Sequence, residues 1–279
     1  MMKKILFLLF TLSFSISAYS YEMRQTAVKS ESMDKQLKVT VVVPDSYNTN
    51  ADNYPTIYVL HGWSGNEQDW VKNSDIAKLA DQYQVILVMP DGDYDKWYID
   101  SPVDKNSRFE TYISQELVAA IDHDFRTIAS KNGRAITGLS MGGFGALNIA
   151  VNHQDQFGAV GSMSGGVDPR EFPKNWGLEQ VFGNHVDNAK FWDNKAIINN
   201  AHHFIFSDID IIIDCGTDDF FINSNRQLHN KLLALKIPHD YIERNGGHTW
   251  NYWDNAIKYQ MQFLIDALNT KRALQLLPQ

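Results

Sequence analysis

Short apolar runs alternate along this chain with segments of helical periodicity, and that alternation narrows the fold more than any other feature. QLKVTVVVP (36–44), TIYVLHG (56–62), VILVMPDG (85–92), RAITGLS (134–140), AVGSMSGG (159–166), IDIIIDCG (209–216) and HDYIERNGG (239–247) read as strands. Most are continuously apolar rather than alternating, the pattern of a sheet buried on both faces. Residues 110–126 place Ile113, Leu117, Ala120 and Ile121 on one helical face, and 141–153 do the same with Phe144, Leu147 and Val151. Residues 222–236 and 251–268 repeat the pattern, the latter with Ile257, Met261, Phe263 and Leu264. Strands alternating with helices predict an α/β domain with a mostly parallel central sheet flanked by helices. The stretch 167–208, weaker in periodicity and rich in aromatic residues, is expected to lie as an insertion over the sheet.

The first twenty residues, MMKKILFLLFTLSFSISAYS, have two lysines, a short apolar core and small residues at Ala18 and Ser20. That is the layout of a secretory signal peptide cut after Ser20, leaving 21–279 as one domain. Export to the periplasm or the extracellular space is therefore expected. No other segment is long enough to span a bilayer, so no membrane contact is expected after cleavage. Loss of Lys3 and Lys4 takes the formal net charge from −8 to −10. An acidic chain without a basic run is a poor nucleic-acid partner. With one cysteine, Cys215, no intrachain disulfide can form, and the core of a chain that is 44% hydrophobic must hold the fold. Cys215 lies in an apolar run and reads as a buried small hydrophobe.

One helix-strand junction stands out. Gly138-Leu139-Ser140-Met141-Gly142 is G-x-S-x-G, placed between a strand and a helix. In a nucleophile elbow the residues two before and two after the serine crowd together and must be small. Gly143 and Gly145 lie outside that minimal motif and are expected to let the helix start close to the sheet or to the 60–65 loop. The turn lifts the Ser140 hydroxyl off the sheet and leaves the Met141 N–H at a helix N-terminus, where negative charge is favoured.

A serine nucleophile needs a base, and the base needs an orienting carboxylate, in the chain order Ser, acid, His. Of nine histidines, His229, His239 and His248 follow the strong strand 209–216. His229 sits in a helical stretch and His239 opens a strand. His248 lies in a glycine-rich loop between a strand and a helix, which selects it as the base. The acid belongs to the loop Thr217-Asp218-Asp219-Phe220, and spacing leaves Asp218 and Asp219 open. LHGWSG (60–65) supplies a second oxyanion donor, the Trp63 N–H, beside that of Met141. His61 precedes the nucleophile and reads as a residue that shapes this loop. Trp63, Trp97, Tyr98, Trp250 and Trp253 lie in or beside these loops. Flat aromatic faces suit sugar rings or aromatic acyl groups, and Trp97, Tyr98 and Trp250 are the candidate substrate contacts. This chemistry requires no metal or organic cofactor, and no H-E-x-x-H or comparable metal spacing occurs.

YVLHGWSGNEQDW, DGDYDKWYIDSP, GLSMGGFGAL, DCGTDDFF and IPHDYIERNGGHTWNYW together resemble, in order, the blocks of the esterase D / tributyrin esterase branch of the α/β-hydrolases. That branch also contains S-formylglutathione hydrolases, feruloyl and acetyl-xylan esterases and the antigen 85 mycolyltransferases. The resemblance runs from about residue 36 to 268. It implies the α/β-hydrolase fold, Ser140 as nucleophile, His248 as base and Asp219 as orienting acid. It implies a serine carboxylesterase acting on short-chain or carbohydrate-linked acetyl or feruloyl esters. S-formylglutathione hydrolases usually lack the His61-Gly62 pair seen here, and export makes glutathione chemistry a poor fit. Thioesterase and mycolyl-type transferase activities are the related alternatives. A non-catalytic binding module on the same fold is the alternative of a different class.

Overall fold

The computed structural model describes residues 21–276. The signal-peptide reading falls on residues 1–20, outside the described residues. Eight strands form one sheet: β1 (Tyr21–Ser30), β2 (Lys35–Pro44), β3 (Thr56–Leu60), β4 (Ile86–Pro90), β5 (Arg134–Gly138), β6 (Ala159–Met163), β7 (Asp210–Gly216) and β8 (Asp240–Arg244). Their spatial order is β1-β2-β4-β3-β5-β6-β7-β8. β2 runs antiparallel to β1 and β4, and every other pairing is parallel.

The continuous apolar runs have the predicted cause. In β3, Ile57 and Val59 enter one apolar cluster and Tyr58 and Leu60 the other, so the strand is covered on both faces. One face carries the helix Ile76–Tyr83 and the long C-terminal helix Trp250–Gln275. The latter buries Trp253, Ala256, Ile257, Met261, Leu264 and Leu268, a stripe of three- and four-residue steps. The other face carries the helix Met141–Asn152, the helix Ile222–Ala234 and a helical stretch made of Phe109–Thr111, a π-helical turn Tyr112–Leu117 and Val118–Asp124.

Three features differ from the sequence reading. β1 has no counterpart in it. The residues of β1 are mostly exposed, so they carry no apolar period, and the strand exists because β2 offers it a ten-residue ladder from Tyr21↔Pro44 to Ser30↔Lys35. The helix Ile76–Tyr83 also has no counterpart in the sequence reading, although Ile76, Ala77, Leu79 and Ala80 are buried at the three- and four-residue steps of one helical face. The stretch 167–208 folds as short helices, including Leu178–Phe182 and Ala189–Lys195. It packs on the helix after the elbow and on the helix Ile222–Ala234 rather than on the sheet; the Phe182 ring lies 6.2 Å from that of Phe144. Lys195 Nζ donates to Glu110 Oε2 at 2.6 Å and to Asn148 Oδ1 at 3.2 Å.

Strand order decides where chemistry can occur. β3 leads to β4 on one side, and the chain then crosses to β5 on the other, so neighbouring loops diverge between β3 and β5 and open a crevice at the strand C-termini. Leu60 pairs with Gly138, which sets the 61–65 loop beside Ser140. Gly216 pairs with Arg244, which sets the loop holding Asp219 beside the loop holding His248.

Candidate active site

Ser140 has φ 55° and ψ −116°, a backbone conformation that side-chain-bearing residues rarely adopt and that marks a strained turn. The crowding around it explains two of the glycines. A Cβ on Gly138 would stand 2.6 Å from the Gly142 carbonyl, and one on Gly142 would stand 2.5 Å from Leu60 O and 2.6 Å from His61 O. Both contacts are with backbone, which has no room to yield. Gly143 faces Ser162 at the end of β6, and Gly145 faces the Tyr98 ring. These two serve packing of the helix against the sheet and against a neighbouring loop. The turn is held by Ser140 N–H donating to Met163 O at 2.9 Å.

The loops after β5, β7 and β8 bring three predicted residues into one line. Ser140 Oγ lies 2.9 Å from His248 Nε2, and His248 Nδ1 lies 2.9 Å from Asp219 Oδ2. The carboxylate can only accept, so Nδ1 carries the proton, and Nε2 is left to accept from the serine hydroxyl. The geometry separates the two aspartates that spacing left open. Asp219 is 2% exposed, and its Oδ1 also accepts from Phe221 N–H at 2.9 Å. Asp218 is exposed, and its backbone N–H donates to Gly246 O at 2.9 Å, which ties the acid loop to the histidine loop. Gly246 has φ 137°, so this join uses backbone that favours glycine. Thr249 then caps the C-terminal helix through its hydroxyl, which accepts from Tyr252 N–H.

Two backbone donors are free beside Ser140. Among the described residues neither the Trp63 N–H nor the Met141 N–H meets an acceptor. The Trp63 loop is rigid for a visible reason. His61 is 1% exposed, its Nδ1–H donates to Gly62 O at 2.8 Å, and its Nε2 accepts from Gly92 N–H at 2.8 Å. Burial pushes the His61 imidazole below its ordinary value, with the Gly62 carbonyl and Asp91 opposing. It is a neutral brace between two loops, far from the role of a base.

The cleft over Ser140 holds about 260 Å³ and is walled by Trp63, Trp176, Phe220, His248, Trp250 and Trp253, with Asp69 at one side. Of the three aromatic residues singled out as substrate contacts, Trp250 lies in this wall, whereas Trp97 and Tyr98 do not. Trp97 is 1% and Tyr98 0% exposed. Their loop turns inward, so Trp97 packs on Phe144 with ring centroids 5.6 Å apart, and the Tyr98 hydroxyl donates to His61 O at 3.2 Å. Both rings belong to the packing beneath the elbow. Trp97 acts at one remove, since its Nε1–H donates to Trp176 O at 2.9 Å. Trp176 and Phe220 were missed. They stack at 5.4 Å and 18°, and Phe220 lies 4.3 Å from the His248 ring. Trp176 comes from the insertion, whose weak periodicity held no sign of where its rings point. Cys215 is buried in β7, where desolvation pushes its thiol far up, which suits a core residue and not a nucleophile.

Among the described residues no helix is long and apolar enough to cross a membrane. A model of the Esterase family matches residues 30–264. An acetyl esterase of Caldicellulosiruptor saccharolyticus is 26% identical over 234 residues, covering 78% of this chain and 85% of that protein. Esterase Rv1288 of Mycobacterium tuberculosis is 31% identical over 244 residues, covering 76% of this chain. The chain spans about half, 52%, of that relative's length. The solved structure of a ferulic acid esterase superposes with a TM-score of 0.78 at 24% identity, over 90% of this chain and 100% of that one. The fold is that of the α/β-hydrolases. By its match over residues 30–264 the chain belongs to the Esterase family and is a carboxylic ester hydrolase.

Proposed function

We propose that this chain is an exported esterase that removes short or aromatic acyl groups, acetyl or feruloyl, from carbohydrate-linked esters through a Ser140-His248-Asp219 triad. The observation that carries the reading is the hydrogen-bonded line Asp219-His248-Ser140 opening into an aromatic cleft. A cleft of about 260 Å³ lies below the ~300–1,000 Å³ of pockets for drug-sized ligands, which favours a small acyl group or one planar ring over a long chain. Export rests on the composition of residues 1–20.

In this mechanism Ser140 Oγ attacks the ester carbonyl carbon as His248 Nε2 takes its proton. Asp219 holds the imidazole with its proton on Nδ1 and stabilises the imidazolium. The carbonyl oxygen gains the negative charge and accepts from the N–H groups of Trp63 and Met141; losing one such donor typically costs about 10²–10³ in rate. His248 returns the proton to the departing alcohol, and the acyl group stays on Ser140. Water then attacks the acyl-enzyme, losing its proton to His248, and the acid leaves as Ser140 recovers its hydrogen.

The test is hydrolysis of p-nitrophenyl acetate by purified protein and by Ser140→Ala, with a serine-directed fluorophosphonate as a second probe. Turnover that the phosphonate abolishes and the variant lacks supports the triad; wild-type turnover in Ser140→Ala refutes it. Acyl esters of two to ten carbons, methyl ferulate, acetylated xylan and S-formylglutathione then rank substrates. Preference for S-formylglutathione would overturn the carbohydrate assignment while leaving the triad intact.

A further inference from the structure

Both ring nitrogens of His248 are engaged in the triad: Nδ1 donates to Asp219 and Nε2 faces the Ser140 hydroxyl, each at 2.9 Å. In the mechanism above this ring becomes an imidazolium in both halves of the turnover. Among the described residues Asp219 is the one carboxylate within ion-pair distance of it. Further stabilisation of that charge has to come through the faces and carbon edges of the ring. Three aromatic rings stand there. The centroids of Phe220, Trp253 and Phe221 lie 4.3, 4.8 and 5.5 Å from that of His248.

The three rings are not equivalent. Trp253 and Phe221 meet the imidazole at 88° and 73°, close to perpendicular, whereas Phe220 meets it at 37°. At 4.3 Å and that tilt the phenyl turns its face to the imidazole. The face is the electron-rich side of an aromatic ring and attracts a cation. Phe220 is 47% exposed, so neighbouring rings rather than deep burial hold it in this orientation. Trp176 lies nearly parallel to it at 5.4 Å and 18°, and Phe172 and Phe221 stand 6.3 and 4.6 Å away. Trp176 is itself anchored by the Trp97 Nε1–H on its carbonyl. Phe220 also follows Asp219 directly in the chain, so one turn delivers the acid to Nδ1 and a ring face to the same imidazole.

Only an interaction that is stronger in the transition state than in the ground state speeds the chemical step. Contact between Phe220 and a neutral imidazole is present in the resting enzyme and gives no acceleration. The attraction of the ring face for charge appears as His248 takes the proton from Ser140 or from water, and it fades as the proton is passed on. We propose that Phe220 is a catalytic residue whose π face stabilises the His248 imidazolium in the transition states of acylation and deacylation, with Trp176 holding that face in place. The inference rests on the Ser140-His248-Asp219 reading above and adds a fourth side chain in contact with the reacting base. For a half-exposed ring the attraction corresponds to about two- to fivefold in rate.

The experiment replaces Phe220 by mono-, di- and trifluorinated phenylalanine, and separately by leucine, and measures kcat for p-nitrophenyl acetate. Ring fluorines draw electrons from the aromatic face and weaken its pull on a cation stepwise while the shape of the side chain changes little. The expected result is that log kcat falls in step with the number of fluorines, reaching about a fivefold loss in the trifluorinated protein. Phe220→Leu should lose about as much. A kcat that stays flat across the fluorinated series overturns the proposal even if Phe220→Leu is slow, because the ring would then act through packing alone. Wild-type turnover in His248→Ala would instead overturn the triad reading beneath it.

Discussion

Replacing Asp219 by asparagine changes one atom and should remove nearly all activity, for a reason visible in its two hydrogen bonds. Oδ1 accepts from Phe221 N–H and Oδ2 accepts from His248 Nδ1–H, each at 2.9 Å. An asparagine keeps one acceptor and gains one donor. The Phe221 N–H is fixed at the start of the helix Ile222–Ala234, so the amide oxygen must face it and the NH₂ must face His248. Nδ1 then becomes an acceptor, the ring proton moves to Nε2, and Nε2–H points at Ser140 Oγ, where it cannot take a proton. A wrong tautomer in a triad of this type lowers kcat by about 10⁴, equivalent to about 5.4 kcal/mol at 1.36 kcal/mol per factor of ten. KM should change little, because Asp219 is 2% exposed and has no surface to offer a substrate. Initial rates with p-nitrophenyl acetate give kcat and KM, and ¹⁵N shifts of the imidazole nitrogens of His248 identify the tautomer. Retention of more than a tenth of wild-type kcat, or an unchanged tautomer in Asp219→Asn, refutes the reasoning.

Gly142→Ala would place a Cβ 2.5 Å from Leu60 O and 2.6 Å from His61 O, and overpacking of this kind costs about 1–3 kcal/mol. A thermal melt should show the loss at roughly 2–4 °C per kcal/mol for a chain of this size, and a melt within a degree of wild type would contradict the crowding. His61 predicts a pH effect of definite sign. Its imidazole is held below 6.5 by burial, so the unfolded chain takes up a proton first as pH falls. The stability it contributes is present above about pH 6.5 and is lost below it. Denaturant unfolding at pH 7.5 and 5.5 should show a larger acid loss in the wild type than in His61→Asn, and equal losses would show that the folded state does not hold His61 neutral.

The catalytic candidates were legible because each is announced locally. Ser140 is framed by glycines two residues away on either side, His248 follows a strand and two glycines, and the acid loop follows the most apolar strand. These are short-range patterns, set by backbone sterics and by the burial of both sheet faces. Spacing does not choose between Asp218 and Asp219, and only the family resemblance points to Asp219, because adjacent residues differ only in the direction their side chains leave the loop. That direction is set by Gly246 O capturing the Asp218 N–H from 28 residues further on.

The aromatic residues divide along the same line. Trp97, Tyr98 and Trp250 look alike in sequence, each next to a motif loop. Packing drove the first two beneath the elbow helix and left Trp250 on the cleft wall. Trp176 entered that wall from an insertion that carried no period to read. Sequence by itself determined the alternation of strands and helices, the elbow and the order of serine, acid and base, since these depend on neighbours within a few residues. Tertiary structure alone decided β1, which way each acid of the Asp218-Asp219 pair faces and which of the aromatic rings line the cleft. Each of those is settled by a partner distant in the chain, whose position exists only once the sheet has assembled.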